Sequence, residues 1–289
     1  MNICLFKPEE LGSPLDLRDE RVKHILTVLH KGEGDCFAAG IIGGASGTAR
    51  IERIETRQMT APNGKSYRGG SMTFSFVPEG DGKPLYPLIM LIGFPRPIQL
   101  KRLLRDMAGL GVCSVYLSGT DLGEKSYLKS TLCSEEACHA MLLEGTVQAA
   151  GTHVPRVKIC PDLATALAEI REEAAVGEQP EGQEQTGARG ETTGREEAAA
   201  FTSLLKFGKD NVRPEESLAC RLDRDRDRLR AQGCGAVSAI GSERGWTDTE
   251  RDLLARDGFS LLSMGKRVLR TETAATVSAS LILAAMGKL

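Results

Sequence analysis

The chain has 289 residues, of which 41% are hydrophobic and 26% are charged, and its formal net charge is −2. This length suits one large domain or two modest ones, and the composition is that of an ordinary globular protein. No apolar run approaches the ~20 residues of a membrane-spanning helix. The N-terminus lacks the basic and apolar regions of a secretory signal, so a cytoplasmic location is expected.

The cysteines and histidines show no pattern typical of a disulfide framework or a metal site. Eight cysteines are scattered without a C-x-x-C pair, and the four histidines stand at no metal-ligand spacing from them. Most of the cysteines lie in apolar stretches such as VCSVYL and VKIC. We therefore expect reduced thiols in a reducing compartment and no bound metal.

The small net charge hides an uneven distribution along the chain. Residues 171–200 contain eight Glu and three Arg, and without them the chain carries 34 basic and 31 acidic residues. This segment has almost no large apolar residues, so burial cannot offset the entropy cost of ordering it. We predict a disordered acidic insertion at 171–200 within an otherwise mildly basic protein.

Residues 1–77 are expected to form a small β-rich domain. Short apolar stretches alternate there with Gly-rich turns such as KGEGD and IGGASG. One predicted helix, Glu20–His30 with Asp19 as its N-cap, interrupts them. The apolar face of this helix consists of Val22, Ile25, Leu26 and Leu29. The segment Pro78–Pro84 combines Gly, Pro and charge, and is predicted to be a linker.

From residue 85 to residue 289 strand and helix patterns alternate. LYPLIMLIGF is almost continuously apolar, as expected of a strand that is buried on both faces. VCSVYLS, VKIC, GAVSAIG and FSLLS are further strand candidates, and FTSLLKF is another apolar stretch. The predicted helical segments are Ile98–Leu110, Ser134–Ala150, Leu163–Ile170, Glu215–Gln232, Thr247–Asp257 and Thr271–Met286. The alternation predicts an α/β domain with a mostly parallel sheet.

Three stretches of this second domain have the features of a ligand site. A Gly-bracketed loop, GSERG, follows the strand GAVSAIG and precedes a helix, and glycines allow backbone N–H groups to approach a ligand closely. A second Gly turn, at MGKRVLRTETA, carries basic residues into the last helix. A third stretch, GFPRP, follows the first buried strand. Taken one by one, the first could be a purely structural turn and the second a solvated cationic loop.

These stretches together resemble the RsmE family of SPOUT methyltransferases. GSERGWTDTERDLLARDGFSLLSMGKRVLRTETA is similar to the C-terminal signature of that family, in which a G-P-E-G-G loop precedes a helix and L-G-x-R-I-L-R-x-E-T-A leads into the last helix. FPRPIQLKRLLRDMAGLGV, GEKSYLKS, EGTVQAAGTHVPRV and HILTVLHKGEGDCF resemble further family elements in the same order. The likeness covers nearly the whole chain except residues 171–200.

The resemblance implies a fold and an activity. The expected fold is a PUA-like β-barrel at 1–77 followed at 85–289 by a SPOUT domain, which is an α/β fold with a trefoil knot and helices on both faces of the sheet. The expected activity is methyl transfer from S-adenosylmethionine to N3 of a uridine in 16S rRNA. The resemblance also implies a homodimer that acts on the small ribosomal subunit.

The resemblance assigns roles to individual residues. Arg270 would stabilise an anionic uracil oxygen, and Glu272 would orient Arg270 or act as a base, although an internal salt bridge between the two is the structural alternative. The residues expected to bind the cofactor are Gly241, Glu243, Gly245, Met264, Gly265 and Leu269. The residues expected to bind RNA are Arg21, Lys23, His24, Arg96, Lys101, Arg102, Lys125, Lys129 and Arg267. For His24, a packed position is an equal alternative.

Three departures from the family pattern keep other functions open. Ser242 and Arg244 stand where the family has Pro and Gly, and Gly151 stands where it often has a charged residue. An arginine beside the sulfonium could hinder cofactor binding, or it could point outward towards RNA. The alternatives are a SPOUT methyltransferase with another RNA target and a catalytically weakened RNA-binding or ribosome-assembly protein.

Overall fold

The computed structural model describes residues 2–60, 66–127, 130, 133–176, 202–206, 216–231 and 235–289. The chain divides into two compact units, of which the first comprises 1–85 and 141–154 and the second comprises 86–140 and 155–289. This division differs from the predicted one because Met141–Val154, which includes the end of the helix Glu135–Gln148, groups with the first unit. None of the helices in the described ranges is long and apolar enough to cross a membrane.

The first unit is built on a five-stranded sheet. Its strands are β1 (Cys4–Phe6), β2 (Leu15–Asp16), β3 (Cys36–Ile41), β4 (Ser46–Thr60) and β5 (Ser66–Gly80). The strand order is β1-β3-β4-β5-β2, with β1 parallel to β3 and the other pairs antiparallel. The alternating apolar residues of these strands form a core in which Phe6 stacks on Phe74 at 4.4 Å between ring centroids. The β-rich character predicted for 1–77 is therefore present.

The helix predicted at Glu20–His30 is shorter and of two kinds. An α-helical turn, α1 (Glu20–Lys23), is followed by a π-helical turn at His24–Val28. Asp19 caps it as predicted, by accepting a hydrogen bond from the Arg21 N–H at 2.8 Å. Because the π turn changes the periodicity, Val22 and Ile25 are buried while Leu29 is exposed.

The predicted linker Pro78–Pro84 is in part a strand. β5 continues to Gly80, and Pro78 pairs with Gly47 beside a register shift at the start of β4. A proline is tolerated at such an irregular strand end because the ladder hydrogen bonds are already interrupted there. The prediction was therefore wrong for residues 78–80.

The second unit contains a six-stranded, fully parallel sheet among the described residues. Its strands are β6 (Tyr86–Gly93), β7 (Val112–Ser118), β8 (Arg156–Cys160), β9 (Thr202–Lys206), β10 (Ala236–Ile240) and β11 (Ser260–Leu262). The strand order is β11-β9-β10-β6-β7-β8, and every pair is parallel. The prediction of an α/β fold with a mostly parallel sheet is confirmed.

Helices cover both faces of this sheet. They are α2 (Pro97–Leu110), α4 (Leu163–Val176), α5 (Leu218–Arg224), α6 (Arg226–Arg230), α7 (Asp248–Arg256) and α8 (Thr271–Ala285), while α3 (Glu135–Gln148) is divided between the two units. On one face α4 and α7 pack against Val237 and Ala239 of β10. The residue between them, Ser238, faces the other side, where its hydroxyl meets that of Ser278 of α8 at 2.7 Å. A strand buried on both faces explains the continuous apolar run of β6.

Two predicted segments differ in their boundaries. The helix predicted at Glu215–Gln232 consists, within the described residues, of the short helices α5 and α6, which divide at Asp225. The predicted disordered insertion begins too early, since residues 171–176 are the end of α4. Glu173 accepts hydrogen bonds there from the Ser114 hydroxyl, from Tyr116 OH at 2.5 Å and from Arg156 at 2.7 Å. Residues 177–200 lie outside the described part of the chain.

Candidate active site

The three candidate stretches lie at the same edge of the parallel sheet. GFPRP follows β6, GSERG follows β10 and MGKRVLR follows β11, and the carboxyl ends of parallel strands share one edge. The first two loops are in direct contact. A Cβ atom on Gly93 would lie 2.4 Å from the Ser242 backbone N and 2.9 Å from the Gly241 carbonyl carbon. Only glycine fits at position 93, so the end of β6 and the start of the β10 loop lie side by side at backbone distance.

The loop Gly241–Gly245 is a tight turn whose two outer glycines are required. The Gly245 N–H donates to the Ser242 carbonyl at 2.9 Å, and Gly245 has φ +79°. A Cβ atom on Gly241 would lie 2.9 Å from the Gly245 Cα. The positions between these two glycines do not require glycine. The chain can therefore have Ser242 and Arg244 where the family pattern has Pro and Gly.

Ser242 is buried and joins the turn to a third loop. The Thr120 hydroxyl donates to Ser242 Oγ at 3.1 Å, and Ser242 Oγ is 3.4 Å from the Gly245 carbonyl oxygen, to which it donates. Thr120 follows β7 at the same edge of the sheet. The serine therefore satisfies its hydroxyl within the site, and its presence is consistent with an intact turn.

Glu243, a predicted cofactor residue, contacts Arg96, a predicted RNA residue. The Arg96 backbone N–H donates to Glu243 Oε1 at 3.0 Å, and Arg96 Nε is 3.7 Å from the same oxygen. Arg96 is the N-cap residue of α2 and has no side-chain cap of its own. The Glu243 carboxylate thus supplies a tertiary cap that ties the β10 loop to the start of α2.

The first turn of α7 is held in place by a carboxylate. Thr247 is the N-cap residue of α7 and forms a reciprocal capping box with Glu250. The buried Glu250 also accepts from the Asp121 backbone N–H at 3.0 Å, and the Thr247 hydroxyl donates to Asp121 at 2.9 Å. These contacts fasten the loop after β7 to the loop after β10.

A cavity of about 550 Å³ opens at this edge, beside the β10 turn. Its volume is within the range of small-molecule sites. Its lining residues come from the loops after β6, β7 and β8 and from α7: Phe94, Gly119, Thr120, Asp121, Gly123, Glu124, Lys125, Pro161, Asp162, Leu163, Ala164, Thr249, Glu250 and Leu253. The predicted RNA residue Lys125 is therefore part of a concave surface. In the described part of the chain, no group of His, Cys, Asp or Glu side chains is arranged to hold a metal ion.

The loop before α8 carries the two predicted catalytic residues. Arg270 is the exposed N-cap residue of α8, whereas the Glu272 side chain is buried, with 6% of the residue exposed. No ion pair joins the two among the described residues, so the salt bridge considered as the structural alternative is not formed. Between them, the buried Thr271 donates a hydrogen bond to the Gly241 carbonyl oxygen at 3.4 Å. This contact brings the β11 loop to the β10 turn.

Gly265, in the same loop, has a backbone conformation that favours glycine. It has φ +105°, and no atom lies within 4 Å of the position that a Cβ atom would occupy. Backbone conformation rather than crowding therefore favours glycine here. Its neighbours Met264 and Leu269 are half-buried, and Arg267 is exposed.

The other predicted RNA residues of the second unit are solvent-facing. Arg96 is 64% exposed in its side chain, and Lys101 and Arg102 are exposed on α2. Lys125 is exposed at the cavity. Lys129 lies outside the described residues.

Arg21, in the first unit, has a structural position that the sequence did not indicate. Its guanidinium binds Glu10 at 2.6 Å, Asp19 at 2.7 Å and the Leu5 carbonyl at 3.0 Å, and it lies over the Phe6 ring. Hydrogen bonds from this guanidinium hold the pKa values of the Glu10 and Asp19 carboxyls below their usual range. With its donors occupied, Arg21 is poorly placed to bind a phosphate, and its predicted RNA contact is not supported.

The remaining two predicted RNA residues of the first unit differ in accessibility. Lys23 is exposed and pairs with Glu20. His24 begins the π turn, and its Nε2 atom is buried without a hydrogen-bond partner. This position agrees with the packed alternative for His24.

Sequence reasoning missed Thr120, Ser242 as a bonding group, Thr271 and Glu250. Three of them lie within the motifs given above, but the sequence around a short polar side chain in a loop does not indicate which group it will bind. Thr120 could have been found from its place after β7, because every loop at the carboxyl edge is a candidate.

Comparison with known proteins gives the family. A family model described as "RNA methyltransferase domain" matches residues 82–201 and 203–283. The ribosomal RNA small subunit methyltransferase E of Treponema pallidum is 37% identical over 98% of this chain and 91% of its own length. The chain belongs to the ribosomal RNA small subunit methyltransferase E family. A second relative, methyltransferase E 1 of Borreliella burgdorferi, is 27% identical over 98% of both chains. The predicted RsmE membership and the prediction of an RNA methyltransferase are confirmed.

Solved structures support the fold of this family member. A probable rRNA methyltransferase from Porphyromonas gingivalis matches with a TM-score of 0.66 at 16% identity, covering 99% of each chain. The methyltransferase E from Neisseria gonorrhoeae, solved with bound S-adenosylmethionine, matches with a TM-score of 0.60 at 18% identity, covering 98% of this chain and 97% of that one. At such identities the likeness establishes the common fold.

Proposed function

We propose that the chain transfers the methyl group of S-adenosylmethionine to N3 of a uridine in 16S rRNA. The family membership supports this reaction, and the structural observation that carries it is the start of α8. There an exposed Arg270 and a buried Glu272 flank Thr271, whose hydroxyl binds the Gly241 carbonyl of the neighbouring turn. A cation and a carboxylate thus stand beside the loop proposed to hold the methyl donor.

The residues at this edge fit S-adenosylmethionine. The close approach of Gly93 to Gly241 sets the turn Gly241–Gly245 against the end of β6, and the Cβ position of Gly265 faces open space. Gly241, Gly245, Met264, Gly265 and Leu269 would hold the adenosine and methionine parts. Glu243 would act through the loop, because its carboxylate caps α2 at Arg96. When bound, the sulfonium supplies an electrophilic methyl group.

The chain's own residues must then make N3 of uracil nucleophilic. The neutral nitrogen carries a proton, and its removal places negative charge on the ring oxygens. The Arg270 guanidinium, which no described carboxylate neutralises, would stabilise that charge, and the Glu272 carboxylate would accept the N3 proton. The hydrogen bond from Thr271 to the Gly241 carbonyl would help to keep both groups in place beside the methyl donor.

RNA would be bound mainly through phosphates. The exposed cations Arg96, Lys101, Arg102, Lys125 and Arg267 are the proposed contacts of the second unit, to which Lys129 is added from the sequence. In the first unit Lys23 remains a proposed contact.

We also propose the finer architecture that the family implies. The first unit would be a PUA-like barrel, the second would contain a trefoil knot, and the protein would act as a cytoplasmic homodimer. Three large apolar side chains of the second unit support a dimer: Ile98 of α2 is 82% exposed, Val268 is 79% exposed and Leu281 of α8 is 39% exposed. α2 packs against α8, and a second copy covering these residues would remove them from water.

The decisive experiment maps N3-methyluridine in 16S rRNA by mass spectrometry, from cells with and without this gene. Loss of one N3-methyluridine on deletion, restored by the wild-type gene, is the expected result. Loss of a different modification would indicate another RNA target. Unchanged rRNA, together with no calorimetric signal for S-adenosylmethionine, would indicate a non-catalytic RNA-binding protein. Sedimentation analysis of the wild type and of Ile98→Lys tests the dimer.

A further inference from the structure

Arg244 lies at the tip of the β10 turn and has no described partner. The hydrogen bond from the Gly245 N–H to the Ser242 carbonyl closes a four-residue turn, in which Glu243 and Arg244 are the two central residues. Arg244 is exposed, and no ion pair joins it to another described residue. Its neighbour Glu243 is instead bound to Arg96. Of the two charged residues at the tip, Glu243 therefore stabilises a contact within the protein, whereas Arg244 faces solvent.

The arginine is accommodated at this position without backbone strain. The non-glycine residues with positive φ in the described chain are His30 and Ala150, so Arg244 has an ordinary backbone conformation. The glycine of the family pattern is not needed there, whereas the glycines at 241 and 245 are. Stability does not explain an exposed arginine at the tip of a turn that forms no ion pair with a described residue.

The surroundings of Arg244 are cationic. The loops that emerge at the same edge contribute Arg96, Lys266, Arg267 and Arg270, all of them exposed. The carboxylates of the loops after β6, β10 and β11 are fewer: Glu243 binds Arg96, Asp248 pairs with Arg251 but stays exposed, and Glu272 is buried. The exposed Asp121 and Glu124 belong to the loop after β7, on the side of the cavity. Loops in which exposed cations outnumber exposed carboxylates attract phosphate, and a guanidinium can bind it through two parallel hydrogen bonds.

We propose that Arg244 is an RNA-anchoring residue, which binds a backbone phosphate of the substrate close to the methylated nucleotide. This inference rests on the proposed function, because it assumes an RNA substrate at this edge. Since the turn that carries Arg244 is also proposed to hold the methyl donor, a phosphate held by Arg244 would fix the distance of its nucleotide from the donor. Arg244 would thus position the RNA without touching the reacting atoms.

The test compares Arg244→Ala with Arg244→Lys, and uses Arg256→Ala as a matched control. Arg256 is an exposed arginine at the other end of α7, outside the proposed site. Binding to small-subunit particles that contain unmethylated 16S rRNA is measured over a series of salt concentrations. Affinity for S-adenosylmethionine and single-turnover methylation are measured on the same proteins, and melting curves establish that each variant is folded.

We expect Arg244→Ala to lower the slope of log K against log salt by about one, as expected when one phosphate is no longer bound. KM for the particles should rise while the single-turnover rate at saturation and the cofactor affinity stay within about twofold of wild type. Arg244→Lys should keep the wild-type salt slope because it keeps the charge, and Arg256→Ala should be unchanged throughout.

Two results would overturn the proposal. One is a wild-type salt slope in Arg244→Ala, and the other is a loss of cofactor affinity with unaltered RNA binding, which would place Arg244 in the cofactor site. Failure of the proposed function is a different result: the wild type would then leave N3 of uridine unmethylated, whatever Arg244→Ala does to the salt slope.

Discussion

Arg21 and Arg270 show how one residue type serves two purposes in this molecule. Arg21, in the first unit, binds the carboxylates of Glu10 and Asp19, the Leu5 carbonyl and the face of Phe6. Arg270, in the second unit, is exposed at the start of α8, and no described carboxylate pairs with it. The first arginine uses its donors within the fold, while the donors of the second are bound by no described carboxylate, which is why we propose a ligand for them.

The difference lies in how completely the fold occupies the hydrogen-bond donors of a side chain, and not in its position in a motif. Arg21 is bound by two carboxylates and a carbonyl, whereas exposed cations with one carboxylate neighbour, such as Lys23 and Arg96, stay accessible to solvent. An arginine whose hydrogen bonds are satisfied internally would have to break them before binding phosphate, and that cost cancels most of the gain. An arginine without such internal hydrogen bonds loses only its bound water when it binds phosphate. The predictions below test this distinction, from the largest expected effect to the smallest.

Arg270→Ala should reduce the single-turnover methylation rate ~100-fold or more at saturating S-adenosylmethionine. Uracil is neutral in the ground state, so a guanidinium at its oxygens stabilises the transition state preferentially and affects kcat more than KM. The melting temperature should stay within a degree or two, because no internal ion pair is lost. If Arg270→Ala abolishes cofactor binding, this residue belongs to the cofactor site instead. A near wild-type rate would refute its role altogether.

Glu272→Gln should lower the same rate by ~100-fold, the loss expected for a missing proton acceptor. The amide has nearly the same size, so the buried position should tolerate it. Raising the pH should partly restore the rate of Glu272→Gln, since hydroxide can then remove the N3 proton, whereas it should not rescue Arg270→Ala. A wild-type rate in Glu272→Gln at neutral pH would show that another group accepts the proton.

Arg21→Ala should destabilise the first unit by about 2 kcal/mol, less than for a fully buried ion pair, because its side chain is 25% exposed. The variant leaves Glu10 and Asp19 without their shared cation. Thermal melting should show a loss of several degrees. Affinity for RNA, measured well below the melting temperature, should be nearly unchanged. A large loss of RNA affinity in a fully folded variant would contradict the structural role.

The contribution of Arg21 should also disappear in acid. The folded-state pKa values of Glu10 and Asp19 are lowered, from ordinary values of 4.5 and 3.8. Stabilisation from such groups is fully present above their unfolded pKa values and is lost as the pH falls through the folded ones. The melting temperatures of wild type and Arg21→Ala should therefore differ near pH 7, and the difference should start to shrink as the pH falls below about 4. A constant difference down to about pH 2.5 would exclude this linkage.

Lys101→Ala combined with Arg102→Ala should flatten the salt dependence of RNA binding. Both residues are exposed on α2, and removing either phosphate-binding side chain should lower the slope by about one. The effect on the methylation rate at saturating RNA should be small. An unchanged slope would show that this face of α2 does not bind RNA.

Much of the fold was predictable because its elements have local signals. Buried parallel strands such as β6 and β10 appear as short apolar runs, and α7 lies within the predicted helix Thr247–Asp257. The less accurate boundaries are those set by distant contacts. Residues 171–176 are polar enough to resemble the acidic segment, yet they are helical because Glu173 binds Ser114, Tyr116 and Arg156 across the sheet.

The sequence by itself determined the parallel α/β class, the three glycine-containing loops and the family to which they belong, because strand periodicity, glycine spacing and a long signature are all local properties of the chain. Only the tertiary structure decided which charges are free. In the folded chain Arg21 pairs with Glu10 and Asp19. Glu243 accepts a hydrogen bond from the Arg96 backbone N–H, and Arg270 has no described carboxylate partner. Ion pairing depends on which side chains the fold brings within about 4 Å, and at that distance the partner can come from anywhere in the chain.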